Sequence, residues 1–270
     1  MPRLRILRVS GNRLTVLNAS NVVNLRTLYA DNNSLTQILR LERLSKLENL
    51  SVRNQGGRGC QLGGRDTRDV RRLYLSGNGL GASFLTDSCY NLVYLELAAC
   101  RLTKLPEGLK DLIPNVRVLN LNYNFLEDVR QLEGLTRLVK LTIIGSRLKG
   151  TKAIIRLLQR MPEVEMLDLR MNPCTLGWYL PLLVKDVPGA LQPSEGPPGG
   201  RKNGNGGPAW QDLDSKFRRD LPNDSYIGRL AYRGLVMEAC PRIRMLDGIE
   251  VTEKERDKAH KLLVGIIGKK

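Results

Sequence analysis

Apolar residues return along the first 172 positions in one fixed register: apolar-x-x-apolar-x-apolar-x-x-Asn-x-apolar. The first copy is Leu4, Leu7, Val9, Asn12 and Leu14, and the second is Leu25, Leu28, Ala30, Asn33 and Leu35. Later copies begin at Leu47, Val70, Leu92, Val116, Leu138 and Val164, so the eight starts are 21, 22, 23, 22, 24, 22 and 26 residues apart. Within each copy the alternation predicts a short strand with its leucines on one side, because a strand changes face at every residue. Asn12, Asn33, Asn78, Asn124 and Asn172 follow the strand and are expected to turn inward. There an amide can both donate to and accept from backbone groups that the turn leaves unpaired. Gln55, Cys100 and Ser146 hold that place in the other three copies. Between strands the apolar spacing is often three, as in Leu35, Ile38, Leu41, Leu44, Leu47 and in Leu126, Val129, Leu132, Leu135, Leu138. That period predicts 3₁₀-like turns rather than regular helices. Thr151 to Arg160 is the exception, with Ile154, Ile155 and Leu158 at helical spacing.

This is the pattern of the leucine-rich repeat, and its length is that of the 22-residue intracellular class. The expected fold is an α/β solenoid, a horseshoe with a parallel concave sheet and a C-terminal helical cap. One repeat cannot offset its own ordering entropy; stacking buries both of its flat sides and pairs its strand twice. Residues 1–172 are expected to form eight repeats, 173–242 an insertion, and 243–270 a capping strand and helix. Ile243, Leu246, Asp247 and Gly248 read as a last strand. Thr252 and Glu255 then have the spacing of a capping box, and Ala259, Leu262, Leu263 and Ile266 follow on one helical face. No matching cap precedes Leu4, so the chain reads as part of a longer protein.

Seventy-nine residues separate Val164 from Ile243. Residues 187–208 are rich in Gly, Pro, Asn and Ser and are expected to form a disordered loop. Structure is expected to resume at Trp210, and Ser225 to cap a helix from Tyr226 to Ala239 that ends at Pro241. The stretch Asn172-Pro173-Cys174-Thr175-Leu176-Gly177-Trp178-Tyr179, then Asp214, Phe217, Leu221-Pro222, Tyr226, Arg229, Tyr232-Arg233, Cys240-Pro241 and Leu246-Asp247-Gly248, resembles the fungal spindle-pole-body scaffold of the mitotic exit and septation initiation networks. Centriolin is the proposed animal relative of that family. Over residues 1–172 the likeness is to the intracellular repeat class in general, which also holds a type-1 phosphatase regulator and the spliceosomal A-prime protein. The resemblance implies a non-catalytic scaffold at the spindle pole body or microtubule-organising centre. It also implies protein partners there: a spindle-pole anchor, a small GTPase module and kinase complexes.

Charge adds an asymmetry. The formal net charge is +16, and residues 1–75 hold 14 Lys and Arg against 5 Asp and Glu. Such an excess attracts acidic protein segments, phosphopeptides or nucleic acid. The basic residues are scattered over strand starts, turns and loops without an aromatic-lined groove, which favours protein over nucleic acid as partner. Five cysteines without paired spacing point to a reducing, cytoplasmic setting. No apolar run reaches 18 residues, so no membrane span is expected.

The third and fifth positions of each strand face the concave strip. The candidate protein-binding residues there and just beyond are Arg8, Tyr29, Arg53, Arg72, Tyr74, Tyr94, Glu96, Asn120, Tyr123, Lys140, Asp168 and Arg170. Tyr and Arg on a solvent-facing strip are the residue types of interface hot spots; the plainer explanation is the β-propensity of tyrosine. Catalysis is not expected. His260 is the one histidine and lacks an evident partner, no glycine loop carries the Lys-Ser/Thr of a phosphate cradle, and no Cys/His group has metal-ligand spacing. No cofactor is implied. Two further functions fit the fold: a ribonucleoprotein assembly module like the A-prime protein, and a phosphatase regulator.

Overall fold

The computed structural model describes residues 1, 3–56, 60, 62–81, 84–179 and 210–267. The expected loop at 187–208 lies outside them. One strand per repeat forms the expected parallel sheet: β1 (Ile6–Arg8), β3 (Thr27–Tyr29), β5 (Asn49–Ser51), β6 (Arg72–Tyr74), β7 (Tyr94–Glu96), β8 (Val118–Asn120), β9 (Lys140–Thr142) and β10 (Met166–Asp168). The central leucines pair without a slip, Leu7 beside Leu28, Leu28 beside Leu50, and on through Leu73, Leu95, Leu119 and Leu141 to Leu167. From Leu28 onward each of these leucines is fully buried. Leu4, Leu7, Val9, Leu14 and Leu17 of the first repeat are only partly buried.

The inward amides behave as their chemistry requires. Asn124 Oδ1 accepts from the amides of Cys100 and Leu102, both at 3.0 Å, while Nδ2 donates to the carbonyls of Leu97 and Leu121 at 2.8 and 2.9 Å. Asn33, Asn78 and Asn172 repeat the arrangement. Gln55 substitutes in kind, with Oε1 accepting from Leu35 N and Nε2 donating to Ala30 O. Cys100 and Ser146 make fewer bonds, the thiol to Leu75 O and the hydroxyl from Leu126 N.

On the convex side the turns are short 3₁₀ segments at Leu41–Arg43, Gly64–Asp66 and Arg130–Leu132. Two true helices interrupt them, α1 (Leu109–Leu112) and α2 (Lys152–Leu158). The second is the helix expected between Thr151 and Arg160, and it buries Ile154, Leu157 and Leu158. A second, two-stranded parallel sheet pairs β2 (Val16–Asn18) with β4 (Gln37–Leu39) in the first two repeats. Periodicity did not announce it.

Beyond residue 209 the chain forms α3 (Trp210–Asp220), α4 (Asn223–Ala239), β11 (Met245–Leu246), β12 (Ile249–Glu250) and α5 (Glu253–Ile267). Helix α4 starts before the expected Ser225 cap. Its first residue follows Pro222, which leaves no side-chain cap and puts Ser225 inside the helix. Its buried face is Tyr226, Arg229, Leu230, Tyr232, Arg233, Val236 and Met237, whereas Ile227 is exposed. The expected last strand is β11, parallel to β10. The chain then reverses through Asp247 and Gly248 and returns as β12, antiparallel to β11. Both turn residues have positive φ. Gly248, at φ +74°, faces Arg170 so closely that a Cβ would come within 2.7 Å of the guanidinium.

The capping box is half realised. Glu255 N donates to Thr252 Oγ1 at 3.3 Å, but the Glu255 side chain does not reach back. It is fully buried and takes Arg233 instead, Nε at 2.5 Å and Nη2 at 2.9 Å. Arg233 Nη1 also donates to Leu246 O at 2.7 Å. One guanidinium thus ties α4, β11 and α5 together, while Ala259 and Leu263 pack against Gly234.

Candidate functional site

Strand pairing lays two files of side chains along the concave face. One runs Ile6, Thr27, Asn49, Arg72, Tyr94, Val118, Lys140, Met166; the other runs Arg8, Tyr29, Ser51, Tyr74, Glu96, Asn120, Thr142, Asp168. A third file lies one step past the strands and fastens the backbone. Ser10 Oγ accepts from Asp31 N, Asp31 Oδ1 from Arg53 N, Ser76 Oγ from Ala98 N, and Asn122 Oδ1 from Ile144 N. Each side chain thereby binds the next repeat.

The middle of the strip is a linked polar and aromatic cluster. Arg53 donates to Glu96 from Nε at 2.6 Å and from Nη2 at 2.9 Å. Its guanidinium carbon sits 4.4 Å from the centre of the Tyr74 ring, and Tyr74 packs on Tyr94 with ring centres 4.9 Å apart. Tyr94 Oη donates to Glu96 at 3.2 Å, Asp31 lies 3.6 Å from Arg53, and Ser51 Oγ donates to Asp31 at 2.6 Å. Burial alone would raise the Glu96 carboxyl. Hydrogen bonds from Arg53, Ser76 and Tyr94, with the Arg53 charge, override it and hold that carboxyl below its ordinary value. Burial pushes the Tyr74 and Tyr94 phenols up, so both stay neutral donors.

Around this cluster stand exposed groups. Arg72 and Lys140 are exposed and form no salt bridge among the described residues. Arg8 is exposed beside half-buried Tyr29, 5.2 Å from its ring centre. Tyr123 is 45% exposed and packs its ring edge against Gly145, whose φ of +63° and missing Cβ make room for it. Asn120 is half-buried and accepts from Asn122 N and Thr142 Oγ1.

Three of the expected binding residues are not open to solvent. Tyr94 is 9% exposed, held between Tyr74 and Glu96. Asp168 and Arg170 are 0% and 4% exposed and form a buried pair at 2.7 and 3.0 Å. The hairpin β11–β12 and Tyr179 close over that end of the strip. Asp247 is also fully buried; its Oδ1 accepts from Leu169 N at 2.7 Å and its Oδ2 from Tyr179 Oη. Burial first, then the nearby Asp168 charge, pushes the Asp247 carboxyl up to about 6.

The same end holds the aromatic residues of the insertion. Trp178 packs on Tyr232 with centres 5.0 Å apart, and Tyr179 meets Phe217 edge-on. Arg229, nearly fully buried, stacks 3.7 Å from the Phe217 ring with its Nε unbonded. Asp214 accepts from Tyr226 Oη at 3.1 Å and from Lys258 Nζ at 2.5 Å. These residues act as mortar between α3, α4 and α5. Burial raises the thiols of Cys60, Cys100, Cys174 and Cys240 to about 11, so they are poor nucleophiles at neutral pH.

The chain is 31% identical over 242 residues to the septation initiation network scaffold protein cdc11 of Schizosaccharomyces pombe, a match spanning 86% of this chain and 23% of that protein. No protein-family model matches. Among solved structures, human 5T4 (trophoblast glycoprotein) superposes with a TM-score of 0.49 at 20% identity, over 62% of this chain and 70% of that one. An internalin (inlF) of Listeria monocytogenes gives 0.47 at 21% identity, over 57% and 50%. Among the described residues no helix is long and apolar enough to cross a membrane.

Proposed function

The chain is a leucine-rich-repeat relative of the septation initiation network scaffold, and on that premise we propose that its concave strip is a non-catalytic docking face for a protein partner. The observation that carries the reading is the cluster of Arg53, Tyr74, Tyr94 and Glu96. Its hydrogen bonds and ring contacts are all made within the chain, without a partner, and pre-organisation of this kind favours affinity. Arg72, Lys140 and Arg8 stand around it with charge to offer, and Tyr29 and Tyr123 add aromatic surface. This suits an acidic helix or extended segment laid across the strands. Asp168, Arg170 and the Tyr94 ring support the face from below rather than touch the partner.

By resemblance to the scaffold family, the partner belongs to the spindle pole body: an anchor protein there, or the small GTPase and kinase components recruited to it. The expected setting is cytoplasmic and cytoskeletal, at the spindle pole body or microtubule-organising centre. The test uses the full-length parent protein, fluorescently tagged in dividing cells, with Arg72→Glu and Lys140→Glu together. Loss of the spindle-pole focus, with unchanged thermal melting of the purified repeat region, supports the reading. A focus that persists at wild-type intensity rejects the concave strip as the docking face.

A further inference from the structure

A second site lies on the rim of the first three repeats, away from the concave strip. Repeat stacking builds it as two parallel files. Arg26 N donates to Arg5 O at 2.8 Å and Glu48 N to Arg26 O at 2.9 Å, so Arg5, Arg26 and Glu48 are successive rungs. Arg3, Asn24 and Lys46 occupy the position two residues earlier on the same three rungs. Adjacent rungs are about 4.8 Å apart, the strand spacing. Six side chains from three repeats are thereby gathered, and four of them are cations.

Arg3, Arg5, Asn24, Arg26 and Lys46 line one concavity of ≈ 450 Å³. All four cations are exposed. Arg26 bonds Glu48 at 3.1 Å and Lys46 bonds Asn24 Oδ1 at 2.7 Å, while Arg3 and Arg5 form no salt bridge among the described residues. Four positive groups held this close repel one another, and one acid offsets only part of that. A dianion in the concavity would relieve it. Further along the same files cations recur only singly, as Arg71, Arg117 and Arg137, and the eighth rung carries Glu163 and Glu165 before Arg242 and Arg244 at the capping strand. The dense cluster of four cations is confined to the first three rungs.

We propose that this concavity binds a phosphoserine or phosphothreonine in a segment of a partner protein. A phosphoryl group carries about −1.5 to −2 charges and three acceptor oxygens, which matches two arginine forks and a lysine better than one carboxylate does. Among the described residues no aromatic side chain lines the concavity, which removes the stacking platform that single-stranded nucleic acid uses. The limited extent of the cluster removes the run of phosphate contacts that a polynucleotide needs.

The test is fluorescence polarisation with the whole chain and three probes: a peptide with one phosphoserine among neutral residues, its unphosphorylated twin, and a single-stranded RNA oligonucleotide. The phosphopeptide is expected to bind at least about tenfold more tightly than its twin, a gap of about 1.4 kcal/mol. Arg5→Gln with Arg26→Gln should remove that advantage, and Glu48→Gln, which frees Arg26, should enlarge it. Arg72→Gln with Lys140→Gln on the concave strip should leave it unchanged, which separates this site from the docking face proposed above. Equal binding of the two peptides, indifference to Arg5→Gln with Arg26→Gln, or tighter binding of the RNA than of the phosphopeptide would each overturn the proposal.

Discussion

Arg53 and Glu96 meet across an intervening repeat. The guanidinium leaves the end of β5, passes over Tyr74 on β6, and closes a two-point contact with the carboxylate on β7. A contact that skips a repeat couples units that a nearest-neighbour solenoid would leave independent. Glu96→Gln keeps the shape and removes the charge. It should cost about 1–2 kcal/mol at neutral pH, the scale of a charged hydrogen bond that is partly exposed, measured by urea denaturation. The folded-state carboxyl titrates below its ordinary value. Its contribution is therefore present above the unfolded value, about 4.3, and is lost as pH falls through the lower folded value. The wild type and Glu96→Gln should converge in stability there. A constant difference down to the acid limb would mean the carboxylate charge is not what matters.

Asp247 has the opposite sign. Its folded carboxyl titrates at about 6, above the unfolded value of about 3.9. Between those two values the folded chain holds a proton that the unfolded chain has lost, so stability falls as pH rises through this window. Asp247→Asn removes the titrating group and keeps an oxygen for Leu169 N. The wild type should lose about 2–3 kcal/mol relative to the variant between pH values near 4 and 6.5. Parallel melting temperatures across that range would refute the upward shift that burial, and then the Asp168 charge, impose on Asp247.

The Arg233–Glu255 pair is fully buried on both sides. Glu255→Gln alone leaves a guanidinium without its counter-charge and should destabilise by about 3–5 kcal/mol. Arg233→Met with Glu255→Leu should recover much of that loss, since a buried pair replaced by apolar groups is often neutral, less a penalty for the Leu246 carbonyl that Arg233 satisfied. Chemical denaturation of the single and double variants checks this. A double variant as unstable as the single would show that the pair's geometry, and not its charge balance, holds α4 to α5.

Asn124→Leu tests the inward amide. It leaves two backbone N–H and two carbonyl groups without the partners they have now. The expected loss exceeds about 3 kcal/mol, because each buried unpaired group costs about 1–3 kcal/mol. Asn12→Leu, at an exposed position whose amide donates only to its own turn, should cost far less. Equal losses at the two positions would contradict the ladder.

The eight repeat strands, their shared register and the inward amides of Asn33, Asn78, Asn124 and Asn172 were readable from spacing because one periodicity dictates all three; Asn12, expected inward with them, is exposed and its side-chain amide bonds only its own turn. The two concave files followed, since strand alternation fixes which residues share a face. Side-chain reach did not follow. Nothing local says that Arg53 spans to Glu96, and the solvent exposure expected of Asp168 and Arg170 failed because β11 and β12, nearly 80 residues later, fold over them. Glu255 shows the same limit. Its spacing to Thr252 fits a capping box, but Arg233, 22 residues earlier, took its carboxylate. The pair β2–β4 went unseen because three-residue strands with one inward side chain each, half-buried Leu17 and buried Ile38, carry no period to detect.

The reversed strand β12 has a consequence for how such an array can change length. Every other strand in the main sheet offers its neighbour a parallel ladder, so a duplicated repeat can be spliced between any two of them and find both partners. Past β12 that grammar stops: the outer edge is two residues long and runs the other way. A duplication placed there would meet no matching rung. A repeat added with both of its parallel partners therefore fits only upstream of Met245, and the hairpin ends the parallel ladder whatever is inserted before it.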